Sequence, residues 1–275
     1  MRVPFLSRRP PTVAVVRMSG VIAAGGRGRG TINLSVFSRV LERAFGLRGV
    51  CAVALDINSP GGSPVQSALI YRRIRSLADE KKIPVFGFTQ DVAASGGYWL
   101  ACAADEIFAN ENSIVGSIGV ISSGFGLQGL LERIGVERRV HTSGERKGFL
   151  DPFLPEQADD IARLKTLQNE IHESFRELVR ERRRGRLKED EEILFSGEFW
   201  TGRRAKDLGL VDDLGDLRTV LRERYGKKVR LRVFGVEQGW LRRRIGIGSQ
   251  VGGGDWANAL VDTLETRAMW SRYGL

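Results

Sequence analysis

Val92-Ala93-Ala94-Ser95-Gly96-Gly97-Tyr98-Trp99 carries the strongest signal in this chain. Small apolar residues close a run of β-formers, a lone serine follows, and two glycines leave its hydroxyl uncrowded at a sharp turn. A second stretch, Asn58-Ser59-Pro60-Gly61-Gly62, follows another apolar run. Its Pro-Gly-Gly turn leaves backbone N–H groups bare, because no side chain covers them. Serine and turn together supply a nucleophile and a cradle for the oxyanion that forms when it attacks a carbonyl. The residues point to acyl chemistry.

Outward from these turns, strand-like runs alternate with helical patterns, as in a wound α/β domain. Residues 12–18, 50–57, 83–88, 106–109, 136–142 and 229–233 read as strands. The run 50–57 is almost continuously apolar, which fits a strand buried on both faces. Residues 33–45, 63–78, 95–104 and 125–134 read as helices. Pro155 suits the first turn of a longer one, whose stripe Ile161, Leu164, Leu167, Ile171, Phe175 and Leu178 reads as packing. The basic run 180–188 reads as a solvated helix end. Residues 1–11 form a basic N-terminal segment, 12–235 a catalytic domain, and 236–275 a Gly-rich linker and amphipathic tail.

Composition narrows the function classes. With 275 residues the chain can bury a large core. No stretch approaches the roughly 20 apolar residues of a membrane span, and residues 1–11 lack the apolar region of an export signal. Cys51 and Cys102 lie in apolar runs and read as core residues, so cytosolic chemistry is the default. The net charge of +10 could suit phosphate binding, but only eight of the 43 basic residues are lysine and they are spread along the chain. No zinc spacing or nucleic-acid motif accompanies them, so no nucleic-acid partner is expected. An anionic membrane surface is a better use of the charge, through Trp240, Trp256 and Trp270 with Arg242, Arg243, Arg244 and Arg272.

A serine nucleophile needs a base. His172 sits in the packing helix and His141 in an expected strand without a carboxylate partner, so both read as structural. Among the lysines, Lys147 stands apart. It precedes the apolar loop Gly148-Phe149-Leu150, and apolar neighbours together with Arg146 favour the neutral amine that a base requires. Ser117, small and polar within Val115-Gly116-Ser117-Ile118-Gly119, is a candidate to orient that amine.

Asn58-Ser-Pro-Gly-Gly62, Ala94-Ser-Gly-Gly-Tyr98, Gly116-Ser-Ile-Gly-Val120 and Lys147-Gly-Phe resemble the successive motifs of the SppA/SohB signal peptide peptidase family, in order and at compatible spacing. Gly209-Leu-Val-Asp212 agrees with it, and the resemblance covers about residues 12–215. It implies Ser95 as nucleophile, Lys147 as general base, Ser117 as the residue orienting the lysine, and the N–H groups of Gly62 and Gly96 as oxyanion hole. Gly61, Val115, Ile118 and Phe149 would line a cleft for a peptide substrate. The implied fold is the ClpP/crotonase superfold, an α/β spiral of ββα units, here with a C-terminal helical extension. The short members of that family form homo-oligomers with active sites shared between subunits, and the same is expected here. No cofactor or metal is expected. Two other readings stay open: a crotonase-like acyl-CoA enzyme that leaves Ser95 as turn filler, and a non-catalytic scaffold on a membrane, peripheral to its surface.

Overall fold

In the computed structural model, residues 10–24, 31–144, 146–235 and 266–275 are described. The chain runs β1 (Thr12–Ser19), β2 (Val21–Ile22), β3 (Thr31–Ile32), α1 (Leu34–Phe45), β4 (Val50–Ser59), α2 (Pro64–Lys81), β5 (Val85–Ala94) and α3 (Gly96–Ala101). It continues through β6 (Glu106–Ala109), β7 (Ile114–Gly116), α4 (Gln128–Ile134), α5 (Ala158–Arg182), α6 (Glu191–Leu194), β8 (Phe199–Thr201), α7 (Gly202–Asp207), β9 (Asp213–Leu214), α8 (Leu217–Tyr225) and β10 (Arg230–Phe234).

Six strands form the main path of an eight-stranded sheet in the order β10-β1-β4-β5-β6-β9, all neighbours parallel. Parallel neighbours need crossovers, and the helices between them supply these. Local sequence sets where the helices begin. Asn33 caps α1, its side chain accepting from Val36 N–H, and Ser63 caps α2 with Pro64 behind it. The sequence marked Asn33 and Ser63 as the first residues of these helices, and each stands one residue before the observed helix as its cap.

Side-chain alternation divides the core in two. Ala14, Val16, Met18, Val53, Leu55 and Ile57 face α1, α2 and α3, meeting Phe37, Leu41, Ile70 and Ile74. Val15, Ala54, Phe86, Phe88 and Phe108 face the other way, where Leu221 of α8 covers them. Each strand of the centre is therefore apolar on both faces, as the unbroken run in β4 indicated. Cys102 is buried and Cys51 half-buried, both free.

β5 organises the site. Its first half pairs with β6 and its second half, Val92–Ala94, with β7. Between them the register against β4 slips, from Ile57 opposite Thr89 to Ser59 opposite Ala93. Such a bulge bends a strand and re-aims the residues beyond it. On its other side β7 pairs with β8, antiparallel to it.

Several sequence expectations are corrected. Residues 136–142 form no strand: although Val136 and Val140 have the right spacing, both are exposed and no strand among the described residues lies alongside to pair with. Pro155 precedes α5 by three residues, and Gln157 is its N-cap. Of the stripe on α5, Phe175 is buried and Leu178 packs half-buried on the core, while Leu167 and Ile171 are exposed. The run after α5 is not uniformly solvated either. Arg183 is 2% exposed, because its guanidinium answers a backbone carbonyl and a carboxylate. Most of the expected amphipathic tail, residues 236–265 with Trp240, Trp256, Arg242, Arg243 and Arg244, lies outside the described residues. Among the described residues no helix is long and apolar enough to cross a membrane.

Candidate active site

The bulge in β5 is stitched by two side chains that the sequence did not flag. Asn58 accepts from Val92 N–H at 3.1 Å and donates to Asp91 at 2.7 Å. Buried Ser113 donates to the carbonyls of Thr89 and Gln90. Backbone groups left over by the slip thus keep partners, as buried amides must. Beyond the bulge, β5 resumes in line with β7 and ends at Ser95.

Ser95 has φ 51° and ψ −121°, the first central position of a II′ turn, which glycine normally occupies. A serine there stores strain on the order of 1–3 kcal/mol, and such strain collects at functional sites. The surroundings hold it in place. Ser95 N–H donates to Gly116 O at 2.8 Å, and its carbonyl accepts from Trp99 N–H at 3.0 Å as α3 begins. The Pro60-Gly61-Gly62 turn then closes on it. A Cβ on Gly61 would lie 2.8 Å from Ser95 Cβ and 2.9 Å from Gly96 N, and one on Gly97 would lie 2.5 Å from Ser59 O. Only glycine permits that approach.

The same approach gathers two donors. Gly61 O accepts from Ile22 N–H and Ser63 N–H donates to Ile22 O, so strand alternation turns Gly62 N–H away from β2. Gly96 is the first residue of α3, so its N–H has no acceptor within the helix. A Cβ on Gly96 would lie 3.4 Å from Gly62 N. Gly62 and Gly96 thus lie side by side next to Ser95, which makes their amides candidates to hold a developing oxyanion.

Ser117 is one residue past the pair Ala94–Gly116, so it leaves β7 where Ser95 leaves β5. It too has a positive φ, 53°, and its N–H donates to Glu198 O at 2.7 Å. Val115 and Ile118 are fully buried in the core; they floor this region and present no surface of their own. Phe149 is half-buried.

Lys147 is placed differently from the sequence expectation. It is exposed, on a turn between α4 and α5, where its N–H donates to Gly144 O at 3.2 Å. Among the described residues none desolvates it, and no hydrogen bond joins it to Ser95 or Ser117. Segment 120–157 around it is exposed over almost its whole length, with Phe125 82% exposed. His141 is exposed in this segment. Among the described residues no group of three His, Cys, Asp or Glu is placed to hold a metal.

Behind the site, buried Tyr98 donates to Leu210 O at 2.7 Å. Arg183 donates to Gly209 O at 2.9 Å and pairs with Asp212 at 2.7 Å, and Asp212 also accepts from Ile107 N–H. Gly209-Leu210-Val211-Asp212 is thus the brace between α3, α5 and β6. Arg182 reaches the carbonyls of Cys102 and Ala104 beyond α3, and Phe175 stacks on Trp99 at 4.6 Å.

Known proteins share this framework. A Brucella abortus protein named Na(+)/H(+) antiporter NhaA is 52% identical over 272 residues, 96% of this chain and 37% of that protein. A protease of Synechocystis is 34% identical, with 77% of this chain and 73% of the relative covered. The chloroplastic serine protease SPPA of Arabidopsis thaliana is 32% identical, over 74% of this chain and 31% of its own length. The chain therefore spans well under half of the Brucella and Arabidopsis relatives. The family profile described as Peptidase family S49 matches residues 78–230, from the end of α2 through the Ser95 turn to the start of β10. With its crotonase-like α/β fold and its strained serine, the chain belongs to that peptidase family.

Proposed function

We propose that this chain is a serine endopeptidase working through a Ser95–Lys147 dyad on short hydrophobic peptides, such as remnant signal peptides. The observation that carries the reading is Ser95 held at a glycine-type φ against the closely packed glycines Gly61, Gly62 and Gly96. In the reaction, Ser95 Oγ attacks the scissile carbonyl while neutral Lys147 Nζ takes its proton. The amides of Gly62 and Gly96 hold the resulting oxyanion. Collapse expels the leaving amine, which receives the proton from the lysine, and leaves an acyl-serine. A water deprotonated by the same lysine then releases the acid. The Ser117 hydroxyl orients the lysine.

The dyad forms between subunits of a homo-oligomer. Supporting this, Ser95 is clamped into the body of the chain, whereas Lys147 sits on the exposed segment 120–157. That segment displays Ile121, Phe125, Ile134, Val136 and Leu154, and Leu167 and Ile171 of α5 are exposed as well. A cleft of about 570 Å³ opens there between Phe125, Leu127, Leu150, Leu154 and Leu164. Apolar surface on this scale marks an interaction site, and a neighbouring copy that covers it would desolvate Lys147 as well.

The antiporter name of the Brucella relatives does not compete with this reading. Ion transport needs membrane-spanning elements, and the described helices supply none. The antiporter name is carried by proteins of which this chain spans 37%. Contact with a membrane surface through residues 236–275 remains part of the proposal, tested by flotation with anionic liposomes of the full chain against one ending at residue 235. The central test is labelling by a fluorophosphonate probe. Wild type should react at Ser95 and lose its peptidase activity in step; labelling elsewhere with activity lost overturns the assignment.

A further inference from the structure

The turn that carries Ser117 follows a strained path. Ser117 has φ 53°, and Gly119 N–H folds back onto Ser117 O at 3.0 Å, a three-residue turn centred on Ile118. Such conformations persist only where the surroundings over-determine them. Backbone supplies three supports. Gly116 O accepts from Ser95 N–H, Ser117 N–H donates to Glu198 O, and Gly119 lies so close to Gly197 that a Cβ would be 3.0 Å from its Cα.

The fourth support is a side chain. His172 Nε2 lies 3.0 Å from the carbonyl oxygen of Ile118, across 54 residues of sequence. A carbonyl can only accept, so Nε2 carries the proton in this bond. His172 stands three residues before Phe175, whose ring stacks on Trp99, one turn beyond Ser95. One face of α5 therefore grips the helix that follows Ser95 and the turn that carries Ser117.

We propose that His172 is a positioning residue: by pinning the Ile118 carbonyl it fixes the turn from which Ser117 presents its hydroxyl beside Ser95. The proposal rests on the reading of Ser117 as the residue that orients the base. It differs from a histidine that merely fills a helix face, because the bond ends on the backbone of the site itself.

Three variants of the full chain test it. His172→Gln keeps an N–H donor at nearly the position of Nε2, His172→Asn withdraws it by one methylene, and His172→Leu removes it. Hydrogen exchange of the peptide spanning residues 114–121 should quicken at least tenfold in His172→Leu and His172→Asn and return near wild type in His172→Gln. In the same order kcat on a hydrophobic peptide should fall about tenfold with KM little changed, and the pH profile should shift with it. Equal exchange in wild type and His172→Leu overturns the anchoring, whatever the activity does. Faster exchange with unchanged kcat and pH profile overturns the positioning role, as does a loss that His172→Gln fails to restore. Ser95→Ala, measured alongside, separates these outcomes from failure of the peptidase reading, which would show as retained hydrolysis in that variant.

Discussion

Ser95 and Ser117 each stand one residue beyond the cross-strand pair Ala94–Gly116, and both have left-handed backbone, φ 51° and 53°. Two adjacent parallel strands thus end in serines that turn out of the sheet together. The bond from Ser95 N–H to Gly116 O fixes their register. Strain at two neighbouring positions is hard to reconcile with mere turn filler, and it has measurable consequences.

Replacing Ser95 by glycine should abolish hydrolysis and yet stabilise the fold. Glycine occupies φ 51°, ψ −121° without the Cβ penalty, and the relief should outweigh its greater unfolded-state entropy by about 1 kcal/mol. Ser95→Ala keeps the strain and should be equally inactive with unchanged stability. Urea midpoints of the three proteins check this. A glycine variant less stable than wild type would mean the serine backbone is not strained.

Gly61→Ala should damage both fold and activity. Its Cβ would meet Ser95 Cβ at 2.8 Å and Gly96 N at 2.9 Å, at a backbone φ of 104°. Overpacking and left-handed strain together should cost about 2–4 kcal/mol, with kcat down at least a hundredfold as the amides part. Thermal melts beside peptide kinetics report the two effects; full activity would show that the turn can retreat.

Much of this was legible in sequence because its chemistry is local. A serine between small residues and a Pro-Gly-Gly turn each declare themselves within five residues, and the unbroken apolar run of β4 reveals a strand covered on both faces. The features that escaped depend on distant partners. Asn58 looked like one letter of a turn, but its work is on Val92 and Asp91, more than thirty residues on. Arg183 looked solvated because its neighbours are charged, whereas Gly209 and Asp212 draw it inside. Residues 136–142 have strand-like spacing, but a strand needs an edge to pair with, and the described residues offer them none.

Arg183→Met should destabilise the protein by about 2 kcal/mol, because Gly209 O loses its buried donor and Asp212 keeps only Arg186 and Ile107 N–H as partners. Adding Asp212→Asn to it should cost less than the sum of the two single changes, since the pair acts as a unit. Denaturant titrations of the four proteins measure that coupling. Additive losses would show that Arg183 contributes through packing and its bond to Gly209 O alone.

Lys147→Arg should be inactive, since a guanidinium keeps its proton and cannot serve as base. In wild type, kcat/KM should rise with pH, because the neutral amine is the reactive form and its fraction grows as protons are lost. A rate flat between pH 6 and 9, or substantial activity in the arginine variant, would remove Lys147 from the role of base.

Assembly gives the sharpest test of where that base comes from. Ser95 is locked to Gly116, Gly61 and α3, while Lys147 lies 52 positions later on the exposed segment 120–157, with no hydrogen bond to either serine among the described residues. If the apolar face of that segment packs on a neighbour, the lysine of one subunit is delivered to the serine of the next. Head-to-tail contacts of this kind close into rings when the rotation allows. Ser95→Ala subunits keep a working lysine and Lys147→Ala subunits keep a working serine, so each population is inactive alone. Mixed, dissociated in mild denaturant and reassembled, they should recover a fraction of wild-type activity that depends on the mixing ratio, greatest near equal amounts. Each interface that joins an intact Ser95 to an intact Lys147 is competent. Phe125→Glu, which places a charge on the exposed apolar face, should reduce the oligomer and the activity together. If native mass spectra show mixed oligomers while hydrolysis stays absent, the serine and the lysine meet within one subunit, and segment 120–157 must fold back onto its own chain to bring them together.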